Sequence, residues 1–276
     1  MKPPKIAVVV ENTIYRPFLL AEHGLSFFLE LNGKNILFDT GQGLAIAHNL
    51  QQLHLWQKPL DCIVLSHGHY DHTGGLASVL SHHREQKIFT HPHSFIAKYT
   101  KGPQGTSRPN GMSSSTLHAI RPTDEVVHVE GPLQISEGLH LTGPIPRTND
   151  FEDVGGDFFL DPDLKIPDPM LDDQAAYMDT PKGTVVILGC AHAGIVNTLN
   201  YIKLLRPHQP IHGIIGGLHL VHAHEPRMAQ TILALREHHI ERIIPCHCTG
   251  PAAQHRLWNE FPQQMELCSA GSIFEF

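Results

Sequence analysis

The chain has 276 residues, 41% of them hydrophobic, which is enough to bury a sizeable core in one large domain or two small ones. Its formal charge is −7 and no block of Lys or Arg stands out, which argues against a nucleic-acid or membrane partner. Small anionic substrates stay open if a metal supplies positive charge. Histidine is the outlier, at 23 residues against 20 for Lys and Arg together, and imidazole is the commonest protein ligand for transition metals. The five cysteines (Cys62, Cys190, Cys246, Cys248 and Cys268) form no C-x-x-C pair and are odd in number. A disulfide framework is therefore not expected, and a reducing cytoplasm is. The first apolar run is too short for a signal peptide, and none is long enough to span a bilayer.

In chain order, apolar runs predict strands at 5–11, 24–32, 35–39, 61–66, 87–90, 138–142, 184–190, 211–217, 242–246 and 266–275. "LNGKN" at 31–35 reads as the turn of a hairpin. Helical periodicity marks 43–54, with Leu44, Ala47, Leu50 and Leu53 on one side, and 75–83, with Leu76, Val79 and Leu80 as a stripe. Two more helices are expected at 194–205 and 226–238, the latter with Pro226 in its first turn. Strands flanked by helices in both halves predict two packed sheets with helices outside. No linker separates the halves, so residues 1–276 are expected to form a single domain. Segment 100–116 is Gly-, Ser- and Pro-rich and segment 147–182 is acidic, and both are expected to be irregular, as lids or as surface.

The chemistry concentrates in "LSHGHYDHTGG", residues 65–75. His67 and His69 are one residue apart, so an extended turn after the strand points both to one side. Asp71 and His72 follow on the way into the next helix. Such groups gather at a strand end only when something offsets their desolvation, and a divalent metal does. Three later histidines also follow apolar runs: His192 in "LGCAHAG", His219 in "GGLHL" and His247 in "PCHCTG".

"SHGHYDHTGG" resembles the signature of the metallo-β-lactamase superfamily. The superfamily's acidic residue after an early strand matches Asp39 in "ILFDTG". "VENT", "HGLSFFLE", "TGPIPR", "DDQA", "GCAHAGIVNTL", "GGLHL" and "PCHCTG" extend the likeness over nearly the whole chain. They narrow it to the branch named after the dihydropterin–ribofuranosylaminobenzene phosphate synthase of methanopterin biosynthesis. The resemblance implies an αββα sandwich of two mixed sheets with one or two divalent ions between them. Zinc is the expected ion, with manganese, magnesium or iron as alternatives. His67, His69 and His192 would hold one metal; Asp71, His72 and His247 would hold the other. An aspartate from a late strand usually bridges the pair, but no Asp lies between Gly183 and Phe276. His219 stands roughly in its place, as a ligand or a donor to substrate, and Cys190 is a soft alternative. Asp39 is expected to orient a ligand histidine.

Metal-bound hydroxide with Asp71 as proton shuttle makes hydrolysis of a small phosphorylated or cyclic ester the expected chemistry. A pterin-linked transferase, an iron redox enzyme and a binding protein with a decayed second site are the competing readings. For substrate, Arg147 can fork onto a phosphate or carboxylate, and Asn149, Glu11 and Asn12 can line a pocket mouth. Asp172 and Asp173 are read as turn caps.

Overall fold

The computed structural model describes residues 3–276. The first half runs β1 (Lys5–Val10), β2 (Ser26–Leu31), β3 (Lys34–Phe38), α1 (Ile46–Gln52), β4 (Cys62–Val64), α2 (Tyr70–Thr73), α3 (Leu76–His82) and β5 (Lys87–Thr90). The middle holds β6 (Tyr99–Lys101), β7 (Ser107–Pro109), α4 (Ser114–Ala119), β8 (Glu125–His128), β9 (Leu133–Ser136), β10 (Leu139–Leu141) and β11 (Phe158–Phe159). The last part runs β12 (Ala176–Thr180), β13 (Gly183–Leu188), α5 (Ile195–Leu205), β14 (Ile211–Gly217), α6 (Glu225–Glu237), β15 (Arg242–Cys246), α7 (Pro251–Glu260) and β16 (Ile273–Glu275).

Two large sheets result, ordered β16-β1-β2-β3-β4-β5-β8 and β15-β14-β13-β12-β10-β9, with a small third sheet β11-β6-β7. Each large sheet is mixed. β3, β4, β5 and β8 run parallel in the first, and β13, β14 and β15 in the second. Alternation along the strands explains the layering. Val8, Phe27, Leu29, Phe38 and Val64 pack against Met178, Val185, Ile187, Ile215 and Ile244 between the sheets. The neighbouring residues Val9, Leu37 and Ile63 face the opposite way, onto Ile46 and Leu50 of α1 and Leu76, Val79 and Leu80 of α3. Val186, Leu188, Ile214 and Ile243 likewise meet Ile195, Leu199 and Ile202 of α5 and Leu257 of α7. Both faces of each sheet are thus covered, which is why its inner strands read as unbroken apolar runs. The expected αββα sandwich is the observed one. Among the described residues no helix is long and apolar enough to cross a membrane.

The β2–β3 hairpin turns on Asn32 and Gly33, with φ of 50° and 79°, the left-handed pair that a two-residue turn requires. Several expectations need correction. Leu44 lies ahead of α1 and is 74% exposed; Ile46, Asn49 and Leu50 make the buried face. Of the expected strand 266–275, only Ile273–Glu275 forms a strand, because a turn at Ser269–Ser272 precedes it; Ala270 makes an isolated bridge to Ile14. Segment 100–116 is not irregular throughout: β6 and β7 pair as a hairpin and α4 begins within it. Segment 147–182 contains β11 and β12.

Candidate metal centre

The site forms where parallel strands of both sheets end. Asp39 follows β3, His67 and His69 follow β4, His192 follows β13, His219 follows β14 and His247 follows β15. Four residues in these turns take left-handed backbone angles: Asp39 (φ 58°), Ala191 (56°), His219 (47°) and His247 (49°). Such angles are disfavoured for side-chain-bearing residues and collect where the surrounding structure over-determines them.

Asp39 is fully buried and acts from behind the histidines. Its carboxylate accepts from Ser66 N and Ser66 Oγ, both at 2.7 Å, and from His72 Nδ1 at 2.7 Å. With its hydroxyl proton given to Asp39, Ser66 Oγ accepts from His67 Nδ1 at 2.9 Å. Both rings therefore carry their proton on Nδ1 and turn a bare Nε2 forward. The other rings are held the same way. His192 Nδ1 donates to Val154 O at 2.8 Å, His219 Nε2 to Gly155 O at 3.1 Å and His247 Nδ1 to Asn12 Oδ1 at 2.9 Å. The His247 backbone N–H donates to Glu11 Oε1 at 2.8 Å.

The forward atoms converge. His67 Nε2 and His69 Nδ1 are 3.1 Å apart, and ring nitrogens of His67, His69 and His192 lie within 4.8 Å of one another. His72 Nε2 is 3.2 Å from His247 Nε2 and 3.8 Å from Asp71 Oδ2, which is 3.4 Å from His247 Nε2. Two nitrogens bound to one tetrahedral zinc at about 2.0–2.1 Å stand roughly 3.3 Å apart, so both triads have the spacing of a ligand shell. His192 Nε2 and His219 Nδ1 are buried with no hydrogen-bond partner, a costly condition unless a ligand relieves it. The donor set thus fits divalent metal on an internal observation.

Electrostatics agree. Burial, reinforced by the neighbouring imidazoles, pushes His67 and His192 well below the usual histidine range, and burial takes His69 to about 3. These rings are neutral, the form that binds metal. Burial also opposes charge on Asp71 and His72. The neighbouring His72, His23 and His247 nonetheless hold Asp71 well below the carboxylate range, and Asp39 with Asp71 raises His72. This half of the site is one in which negative charge calls for a cation.

The loop between His67 and His69 is pinned from below. Gly68 N donates to Asp172 Oδ2 at 2.7 Å, and Asp172 pairs with the buried Lys98 at 3.0 Å, which also pairs with Asp168 at 2.7 Å. A Cβ on Gly68 would lie 2.4 Å from Ser94 O. Asp172 therefore holds the ligand loop rather than only capping a turn. Asp173 accepts from Ala193 N at 2.6 Å in the His192 turn.

The centre lies in a cavity of about 900 Å³ that Tyr70, Arg108, Phe158, His222 and Arg227 also line. Phe158 packs on the rings of His69 and His192, at 4.8 and 5.2 Å between centroids. Of the residues expected at the mouth, Asn12 lines the cavity and holds His247. Glu11 does not reach it, because its carboxylate is buried and spent on His247 N and Thr13 N. Arg147 is exposed and donates to Pro169 O at 3.1 Å, and Asn149 bonds Glu152 and Asn197 beside α5. Both lie outside the cavity lining. Sequence reasoning missed Ser66, His23, Lys98 and the Val154 and Gly155 carbonyls, whose partners, His67 beside Ser66 apart, are remote in the chain.

Residues 20–247 match the family described as the metallo-beta-lactamase superfamily. The chain is 31% identical over 272 residues to the 7,8-dihydropterin-6-methyl-4-(beta-D-ribofuranosyl)-aminobenzene-5'-phosphate synthase of Methanocaldococcus jannaschii, covering 93% of this chain and 90% of that one. It is also similar to a crystal structure described as a metal-dependent hydrolase of the beta-lactamase superfamily, with a TM-score of 0.83, 27% identity and 99% of both chains covered. Zn(2+)-bound PqqB from Methylobacterium extorquens shares the fold, at a TM-score of 0.60 and 11% identity over 99% of this chain and 100% of that one. The histidine-rich strand ends, the two layered sheets and these likenesses lead to one conclusion: the chain belongs to the metallo-beta-lactamase superfamily and resembles its dihydropterin–ribofuranosylaminobenzene phosphate synthase-like branch.

Proposed function

We propose that this protein is a metal-dependent hydrolase of a small phosphorylated or cyclic ester. His67, His69 and His192 would hold one divalent ion, and Asp71, His72 and His247 a second. The observation that carries the reading is the convergence of buried, partnerless ring nitrogens on the floor of a cavity of about 900 Å³. A divalent ion bound there supplies Lewis acidity and lowers the pKa of water toward neutrality.

The chain's own residues do the rest. Asp71, ionised and within 3.1 Å of His23 Nε2, can accept the proton of the attacking nucleophile and pass it to that exposed imidazole. His23 then delivers it to solvent or to the leaving group. Ser66 and Asp39 keep His67 and His72 in the tautomer that binds metal. Phe158 covers the first triad and limits its access to water. Tyr70, Lys101 and Arg108 at the cavity wall offer a flat contact and positive charge to an anionic substrate. The test joins elemental analysis of the purified protein to a panel of phosphomonoesters, cyclic phosphodiesters and lactones. Turnover that is lost on chelation and in His67→Ala supports the reading. Full turnover by metal-free protein overturns it.

The likeness to the Methanocaldococcus jannaschii synthase favours a second reading, a pterin-linked synthase. Here the same ligands would serve the departure of a phosphorylated leaving group rather than attack by water. Formation of the product named for that relative, with no hydrolysis across the panel, would select this reading. Iron in the elemental analysis would reopen redox chemistry.

A further inference from the structure

The two triads meet at a sulfur atom. Cys190 Sγ is 3.1 Å from His72 Nε2. It falls within 4.8 Å of donor atoms of His67 and His72, of His192 and His219, and of His247 and Cys248, in three separate groupings. The backbone is shaped to put it there. A Cβ on Gly189 would lie 2.0 Å from Ser66 Oγ, so only glycine lets the end of β13 approach the first sheet this closely. The left-handed turn at Ala191 then follows, and Cys190 and His192 both line the cavity.

Charge points the same way. Neutral imidazoles provide most of the donors, and Asp71 is the one carboxylate in either triad. Asp39 is committed to Ser66 and His72. No aspartate follows Asp179 in the chain. Two divalent cations would meet a single negative protein ligand unless another side chain ionises. The orphaned nitrogens of His192 and His219 belong to a cluster that includes Cys190.

We propose that the Cys190 thiolate is the shared anionic ligand of both metals. The inference rests on the metal-dependent reading above. On binding, the S–H bond breaks, Sγ forms a bond to each metal at about 2.3 Å, and the proton leaves to solvent. No electron is transferred. Thiolate and imidazole together select zinc over the harder ions.

The experiment titrates cobalt(II) into chelator-treated protein and reads the near-ultraviolet thiolate-to-cobalt charge-transfer band. The band should grow across both equivalents, persist in Cys248→Ala and vanish in Cys190→Ala. That last variant should also bind its second cobalt about 10- to 100-fold more weakly. In wild-type protein, which needs no variant to fold, zinc should protect Cys190 from alkylation by iodoacetamide and magnesium should not. Two bound cobalt ions with visible d–d bands but no charge transfer would overturn the bridge and leave the metal centre standing. A band that survives Cys190→Ala, or equal alkylation with and without zinc, would also overturn it. Failure to bind any cobalt would remove the metal reading and the bridge with it.

Discussion

Asp39 shapes the centre without facing the cavity. One carboxylate sets the tautomer of His72 directly and of His67 through Ser66. Asp39→Asn keeps the shape but loses the charge-assisted acceptor. We expect it to weaken metal binding about 10- to 100-fold, with the Asp71 triad affected more than the His67 triad. Competition with a chromophoric chelator measures this; unchanged affinity would mean that packing alone holds His72. Asp173 offers a pH test. It is 2% exposed, and burial, only partly relieved by the Ala193 N–H and by Arg147, pushes its pKa up to about 7. In the unfolded chain it titrates near 3.9. Between about pH 4 and 7 the folded metal-free protein therefore holds a proton that the unfolded chain has lost. Stability contributed by this group falls as pH rises through that window and levels off above it. Asp173→Asn should remove that decline, as read from urea unfolding of metal-free protein across the window. These roles divide what a sequence reveals. The ligand histidines are legible because they crowd behind apolar runs, and Asp39 because it follows "ILF". Glu11 and Arg147 were legible only as polar residues near strand or loop ends. Their partners, His247 N and Pro169 O, come from folding distant or irregular segments together.

Turns at strand ends carry most of the ligands, with Asp71 and His72 on the short α2 just beyond β4, and this is where sequence and structure agree best. β13, β14 and β15 are covered on both faces, so their apolar runs stop where the turns begin and the donors start. The misread elements are those with little apolar face. β6 and β7 are three residues each, carry a Lys, an Arg and a Pro, and lack alternation. β11 has two residues. Such strands are held by the neighbours they meet, which the local pattern does not encode. The start of α5 shows an element completed from elsewhere. Gly194 has φ of 100° and no side chain to cap the helix. Glu152, from the preceding irregular segment, accepts from Val196 N at 2.8 Å and Asn197 N at 2.9 Å instead. A carboxylate there both satisfies free N–H groups and opposes the helix dipole. Glu152→Ala should cost about 1–2 kcal/mol in chemical unfolding, and Glu152→Gln, which keeps an acceptor, less. A cost near zero for Glu152→Ala would show that water serves α5 equally well. The same segment supplies the Val154 carbonyl to His192, so Glu152→Ala should also weaken metal binding, in the same chelator competition.

At the scale of the whole molecule, the donors divide between the sheets. His67, His69, Asp71 and His72 come from the first, and Cys190, His192, His219 and His247 from the second. A bound ion therefore ties two layers that otherwise meet through the apolar core between them. Zinc held at about 100 times its dissociation constant should add roughly 2.7 kcal/mol to stability. The check is the unfolding midpoint with zinc against that with chelator; identical midpoints would place the metal off the fold's critical contacts. The strand order carries a further consequence, for synthesis. β1 lies between β2 and β16 and pairs with residues 273–275, so the ribosome releases one side of β1 long before its neighbour exists. His72 meanwhile waits 175 residues for His247. Throughout that interval the nascent chain shows an open strand edge and a metal-hungry turn, both prone to capture by wrong partners. The first sheet and the metal centre should then close only after residues 247–275 have been made, and the yield of native protein should follow how well the emerging chain is shielded rather than how stable the finished fold is.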